Sequence, residues 1–131
     1  MTLALVCIGL LGVLVFALGF GVSMQRRSAK MGAGVPDDPT SPLLKWSRAH
    51  GNTCEYAAML AVLMYLLALS PQPAFVYTMM VMATFSRYLF AAGMILPATL
   101  AKPNPMRFLG ALGTYLFGLG LAIMLLVSVL T

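Results

Sequence analysis

Four long apolar segments alternate with short polar stretches along the chain. The apolar segments cover about residues 2–24, 47–69, 74–96 and 106–130. Each has roughly 20 residues or more, which is the length that an α-helix needs to cross a hydrocarbon core of about 30 Å. The pattern therefore predicts an all-α membrane protein, a single four-transmembrane-helix bundle over residues 1–131 with no separate soluble domain.

The polar stretches indicate how these helices are connected. Residues 30–45 are rich in proline and aspartate, a composition that breaks helices and favours contact with water. Helices 2 and 3 are separated only by Ser70, Pro71, Gln72 and Pro73. A turn this short makes the two helices antiparallel neighbours, so residues equally far from the turn lie at the same depth.

The composition agrees with a membrane location. Hydrophobic residues make up 61% of the chain and charged residues 8%, and the mean hydropathy of +0.95 is far above that of soluble domains. The first apolar segment is followed, not preceded, by basic residues. We therefore expect it to stay in the membrane as a helix and not to be cleaved as a signal peptide.

The net charge of +5 has an explanation in membrane topology. Seven of the eight Lys and Arg residues, all except Arg87, lie in or beside the loops that join helices 1 to 2 and helices 3 to 4. Because basic loops remain in the cytoplasm, both loops are predicted to be cytoplasmic and both termini non-cytoplasmic. Basic residues this dispersed do not favour nucleic-acid binding.

A polar stripe opens the second apolar segment. At about 100° per residue, Arg48, Asn52 and Glu55 fall on one side of a helix, and Met59 continues that side as apolar. The purely apolar part of this segment is too short to span a bilayer, so the stripe must reach into the hydrocarbon edge. Charges there cost a few kcal/mol each unless they pair or face the bundle, which makes the stripe a candidate functional site.

Arg87 lies in helix 3 at the depth of Glu55. Glu55 precedes Ser70 by 15 residues and Arg87 follows Pro73 by 14, so at 1.5 Å per residue both are roughly 20 Å from the turn. Two interpretations follow. Glu55 and Arg87 form a buried ion pair that orders the bundle, or both belong to a ligand site.

Other polar residues are expected to be structural. His50 points away from the stripe and lacks a cysteine or acidic partner at metal-ligand spacing, so no metal site is predicted. Cys7 and Cys54 are expected to be inert, and Tyr115 to pack between helices. Small residues that allow close helix contacts recur in helices 1 and 4, at Gly9, Gly12, Gly19, Gly21, Gly110, Gly113, Gly118 and Gly120.

The motif Arg48-Ala49-x-x-Asn52-x-x-Glu55-Tyr56 at the head of the second of four helices resembles the MAPEG family. These are membrane-associated proteins in eicosanoid and glutathione metabolism and include the microsomal glutathione transferases. The resemblance implies a homotrimer that binds glutathione as co-substrate between subunits, on the cytoplasmic side. The matching glutathione contacts are Arg48, Asn52, Glu55, Tyr56 and Tyr88, with Arg26 or Arg27 as an additional contact.

The resemblance also implies an activity. Glutathione thiolate would attack a lipophilic electrophile or reduce a lipid hydroperoxide. Relatives usually activate the thiol with an arginine near the end of helix 3, whereas this chain has only Tyr88, Lys102 and Arg107 as candidates, and Ala92 follows Tyr88 by one turn. Because of this departure, a second interpretation is that the chain is a non-catalytic member of the family that binds a lipid or regulates a partner.

A small multidrug-type transporter is a further class with four short helices and an intramembrane glutamate. Such transporters carry the glutamate in helix 1. Helix 1 of this chain has no such glutamate, and its first charged side chain is Arg26. The sequence therefore disfavours a transporter.

Overall fold

The computed structural model describes residues 1–130, which form four α-helices. They are α1 (Thr2–Ala29), α2 (Pro42–Leu67), α3 (Ala74–Ile95) and α4 (Pro105–Leu130). No strand occurs among these residues, so the predicted all-α bundle is confirmed. By length and composition α1, α3 and α4 could each cross a membrane, while α2, which carries the polar stripe, is not apolar enough.

Two helices extend beyond the apolar segments that predicted them. α1 continues past Met24 to Ala29 and is capped by Lys30, whose left-handed φ of 53° lets its N–H bond to the carbonyls of Arg26 and Arg27. α2 begins at Pro42 instead of residue 47, and the hydroxyl of Ser41 accepts a hydrogen bond from the N–H of Leu44. The predicted ends were wrong because hydropathy marks where a helix leaves lipid, not where its hydrogen bonds stop.

The helices pack in two pairs. α1 lies along α2 and α4 lies along α3, and the two pairs meet through contacts of α2 with α3 and α4 and of α1 with α3. Within residues 1–130, no Cα atom of α1 comes within 8 Å of one in α4. The antiparallel contact of α2 with α3 confirms the prediction from the short turn.

Glycines bring α3 and α4 into backbone contact. A Cβ at Gly93 would overlap the backbone of Arg107, and a Cβ at Gly110 would overlap the backbone of Phe90. The expected close packing through helix 4 glycines is therefore confirmed at Gly110. In α1 the same expectation is confirmed at Gly21, where a Cβ would overlap the Trp46 ring of α2, and is wrong for Gly9 and Gly12, which have no neighbour within 4 Å in the described chain.

Two hydrogen bonds join the loops at one end of the bundle. The N–H of Leu100 donates to the carbonyl of Pro39 at 2.9 Å. The ammonium of Lys45, in the first turn of α2, donates to the carbonyl of Pro97 at 3.0 Å. These bonds tie the start of α2 to the end of α3, and this end of the bundle carries the polar stripe.

Candidate functional site

The polar stripe lies in a groove between α2 and α3. The cavity has a volume of about 450 Å³. Its lining residues are Ser47, Arg48, Gly51, Asn52 and Glu55 from α2 and Phe90 and Met94 from α3. The structure therefore brings Arg48, Asn52 and Glu55 together, whereas sequence reasoning missed Phe90 and Met94 because apolar residues in an apolar helix give no signal.

Arg87 lies behind this groove and is only 1% exposed. One terminal nitrogen of its guanidinium donates to Asn52 Oδ1 at 2.9 Å and to Thr53 Oγ1 at 3.1 Å. The other donates to Thr114 Oγ1 of α4 at 3.3 Å. Arg87 thus connects α3 to α2 and α4 through neutral oxygen acceptors.

The guanidinium also stacks near two aromatic rings. Its central carbon lies 5.4 Å from the centre of the Tyr56 ring and 4.8 Å from that of Phe90. Cation–π attraction at these distances favours the charged form inside an apolar bundle. Arg87 is therefore held by three side-chain oxygens and two rings.

The interpretation of Glu55 and Arg87 as a buried ion pair is wrong. Glu55 is exposed, and the hydrogen bonds of Arg87 within residues 1–130 go to neutral side chains. The distance from the turn predicted that the two residues lie at one depth. The rotation of α2 about its axis, however, points Thr53 toward Arg87 and leaves Glu55 at the surface. The carboxylate of Glu55 therefore remains accessible from the groove.

The bond from Arg87 orients the amide of Asn52. Its Oδ1 accepts the guanidinium proton, so Nδ2 is the end left to act as a donor. Since Asn52 lines the groove, this donor complements a carbonyl, carboxylate or thiolate of a bound molecule. The groove thus combines a guanidinium, a carboxylate and an oriented amide donor.

Tyr56 does not line this groove. Its ring meets that of Tyr115 edge to face, with centroids 5.7 Å apart, and the two hydroxyls lie 3.5 Å apart. Both tyrosines border a separate cleft of about 370 Å³ between α2 and α4. The expected packing role of Tyr115 is confirmed, while the predicted contact of Tyr56 with a ligand would have to be made from this other cleft.

Tyr88 also faces away from the groove. Its hydroxyl donates to the carbonyl of Leu10 in α1 at 2.8 Å. The ring borders an apolar cleft of about 490 Å³ between α1 and α3, to which Cys7 and Phe85 also contribute. Within one chain, Tyr88 and the polar stripe therefore lie on different surfaces.

The remaining basic candidates lie in or near the loops. Arg26 donates to the carbonyl of Gly34 at 3.0 Å, and Arg27 and Lys102 are exposed. The guanidinium of Arg107 donates to the carbonyl of Leu100 at 3.3 Å and to that of Lys102 at 2.9 Å. None of these four side chains lines the groove.

One polar pair lies outside the groove. His50 Nε2 is 3.3 Å from Cys54 Sγ, so the expectation that His50 lacks a cysteine partner is wrong. The spacing of four residues on a helix was sufficient to find this pair. In residues 1–130 no group of three or more His, Cys, Asp or Glu side chains is arranged to hold a metal ion.

The sequence was compared with known proteins and protein families. Neither the curated proteins nor the solved structures gave a match to the chain. The sequence model of the MAPEG family matches residues 4–127, which include the groove and all but the outer ends of α1 and α4. The chain therefore belongs to the MAPEG family, the membrane-associated proteins of eicosanoid and glutathione metabolism.

Proposed function

We propose that the chain is a glutathione-dependent membrane transferase or peroxidase that binds glutathione in the groove between α2 and α3. The observation that carries this proposal is the exposed Glu55 carboxylate beside Arg48 and Asn52, in a groove of the helix bundle, without an ion-pair partner in Arg87. A carboxylate near the edge of the hydrocarbon region carries a free-energy cost, so we expect it to bind a ligand.

The groove complements glutathione group by group. Glutathione carries two carboxylates, one α-ammonium and a thiol. The guanidinium of Arg48 suits a carboxylate, and Glu55 suits the α-ammonium. The Nδ2 donor of Asn52, oriented by Arg87, is available for a carbonyl or for the sulfur.

Thiolate formation is the step that this chain must assist. The fixed charge of Arg87 lies directly behind Asn52 and favours an anion in the groove. The thiolate would attack an electrophilic carbon and displace its leaving group. In the peroxidase reaction two glutathione molecules would reduce a hydroperoxide to an alcohol and water and form the disulfide.

Assembly accounts for the predicted residues that lie elsewhere. Tyr56, Tyr88, Arg26 and Arg27 occupy other surfaces of the subunit. In a homotrimer such surfaces meet the groove of a neighbouring subunit. We further propose that both termini are non-cytoplasmic and that the groove opens toward the cytoplasm, because the basic loops lie at its end of the bundle.

A non-catalytic lipid-binding or regulatory member is the second candidate. It is favoured because the three candidate activating groups do not line the groove. The Tyr88 hydroxyl is bonded to Leu10, and the Arg107 guanidinium is bonded to loop carbonyls. Lys102 is exposed in that same loop.

Calorimetric titration of the detergent-solubilised protein with glutathione, together with ultraviolet absorbance of the thiolate, tests the proposal. Arg48→Ala and Glu55→Gln should each weaken binding about ten- to a hundredfold, the loss of one charge-assisted contact. Lys30→Ala, at an exposed basic residue outside the groove, is the matched control and should bind normally.

The outcomes separate the candidates. Binding with thiolate formation, and turnover of a model aryl halide, would support the enzyme. Binding without thiolate would support the non-catalytic member. Unchanged binding by Arg48→Ala in a folded protein would refute the glutathione site in this groove.

A further inference from the structure

A cysteine and a histidine form a pair on the side of α2 that faces α1. Cys54 follows His50 by one helical turn, and Sγ lies 3.3 Å from Nε2. The thiol is exposed, whereas the imidazole is half-buried against α1. A Cβ at Gly19 would lie 3.1 Å from Nε2, so the imidazole lies close against this glycine of α1.

The pair has the components of an activated nucleophile. In the tautomer that carries its proton on Nδ1, Nε2 of His50 accepts the hydrogen bond of the Cys54 thiol. An adjacent base of this kind converts a thiol into the nucleophilic thiolate. Cys7, the other cysteine, is buried and no histidine lies beside it, since His50 is the single histidine of the chain.

Cys54 opens into an apolar cavity of about 360 Å³ between α1 and α2. The residues that line it with Cys54 are Ile8, Leu11, Gly12, Val15, Phe16, Ala57, Ala58 and Ala61. Cys54 lies eight residues beyond Trp46, or about 12 Å deeper along the helix. A reagent that approaches this thiol through the cavity must therefore be apolar.

We propose that His50 and Cys54 form a modification site for membrane-borne Michael acceptors, α,β-unsaturated carbonyl compounds with an alkyl tail. His50 Nε2 takes the thiol proton, and Cys54 Sγ forms a bond to the β-carbon. The π electrons of the carbon–carbon double bond move to the α-carbon, which receives the proton from His50. No leaving group or oxidant is required, and the alkyl tail occupies the apolar cavity.

This site does not depend on the proposed function. The groove that carries Arg48, Asn52 and Glu55 lies between α2 and α3, and its lining does not include His50 or Cys54. Adduct formation requires no glutathione. The two proposals can therefore fail separately.

Intact-mass measurement of the full-length protein exposed to N-octylmaleimide or to an alkyl enal tests the proposal. We expect one adduct, which peptide mapping places on Cys54. Cys54→Ser should remove the adduct, and Cys7→Ser, at the other cysteine, should retain it. His50→Gln, which keeps a polar side chain but removes the base, should slow the reaction about tenfold or more.

Two further comparisons keep the test decisive if His50→Gln fails to fold. In the wild-type protein N-octylmaleimide should react faster than a sulfonated maleimide, because the cavity is apolar. Gly19→Ala, which crowds Nε2, should slow the reaction. An adduct on Cys7, no adduct, an unchanged rate in folded His50→Gln or faster reaction with the sulfonated reagent would each overturn the proposal.

Discussion

Thr53 accepts one of the three hydrogen bonds that hold the buried Arg87 guanidinium, and its replacement by valine tests whether this network stabilises the bundle. Thr53→Val keeps the shape of the side chain and removes the acceptor. The nitrogen that loses Thr53 keeps Asn52 at 2.9 Å, so the guanidinium is weakened but not left without a partner.

The expected loss of stability follows from two ranges of hydrogen-bond free energies. A hydrogen bond to a charged group contributes about 1.5 to 3 kcal/mol, while side-chain hydrogen bonds between membrane helices average about 0.6 and reach about 1.7 kcal/mol. Thr53 bonds a charge inside the bundle, which favours the upper part of the membrane range. We therefore expect Thr53→Val to lower the free energy of unfolding by about 1 to 1.5 kcal/mol.

Thr84→Val is the matched control. Thr84 is buried in α3, but its hydroxyl donates to the carbonyl of Met80 in its own helix at 2.9 Å. Loss of this local bond should cost less than about 0.5 kcal/mol, because the carbonyl retains its helical hydrogen bond. Reversible unfolding of both variants in mixed micelles with increasing SDS, followed by circular dichroism, measures the difference.

A double-mutant cycle with Arg87→Met identifies the partner. Methionine fills the space of the arginine stem without the charge, so Thr53→Val in that background should cost less than about 0.5 kcal/mol. Equal effects of Thr53→Val and Thr84→Val would refute the reasoning. So would a cost of Thr53→Val that persists when Arg87 is absent.

Two further predictions concern packing and topology. Gly110→Ala should destabilise the bundle by about 1 to 3 kcal/mol, because its Cβ would overlap the backbone of Phe90. Gly9→Ala, with open space around the added methyl group, should not destabilise it. Unfolding in SDS measures both variants, and equal effects would contradict the packing. Asp37→Cys should react with a membrane-impermeant maleimide added to the cytoplasmic side and Gln72→Cys with reagent on the opposite side, while the reverse pattern would reject the predicted topology.

Local sequence patterns were sufficient to predict the number of helices and the polar stripe. Apolar segments long enough to span a bilayer predict helices whatever surrounds them, because backbone groups in lipid must bond within the segment. Helical periodicity likewise placed Arg48, Asn52 and Glu55 on one side of α2, and they line one groove. The same periodicity contained the pair of His50 and Cys54, which is also a contact within one helix.

Only the tertiary structure decided which side chains meet across helices. Depth could be counted from the turn and brought Arg87 to the level of Glu55, but the rotation of each helix about its axis cannot be counted in this way. That rotation is set by packing, such as the approach of Gly110 to the Phe90 backbone. It directs Arg87 to Thr53 and Thr114 and leaves Glu55 in the groove, because side chains on one helical turn point in different directions.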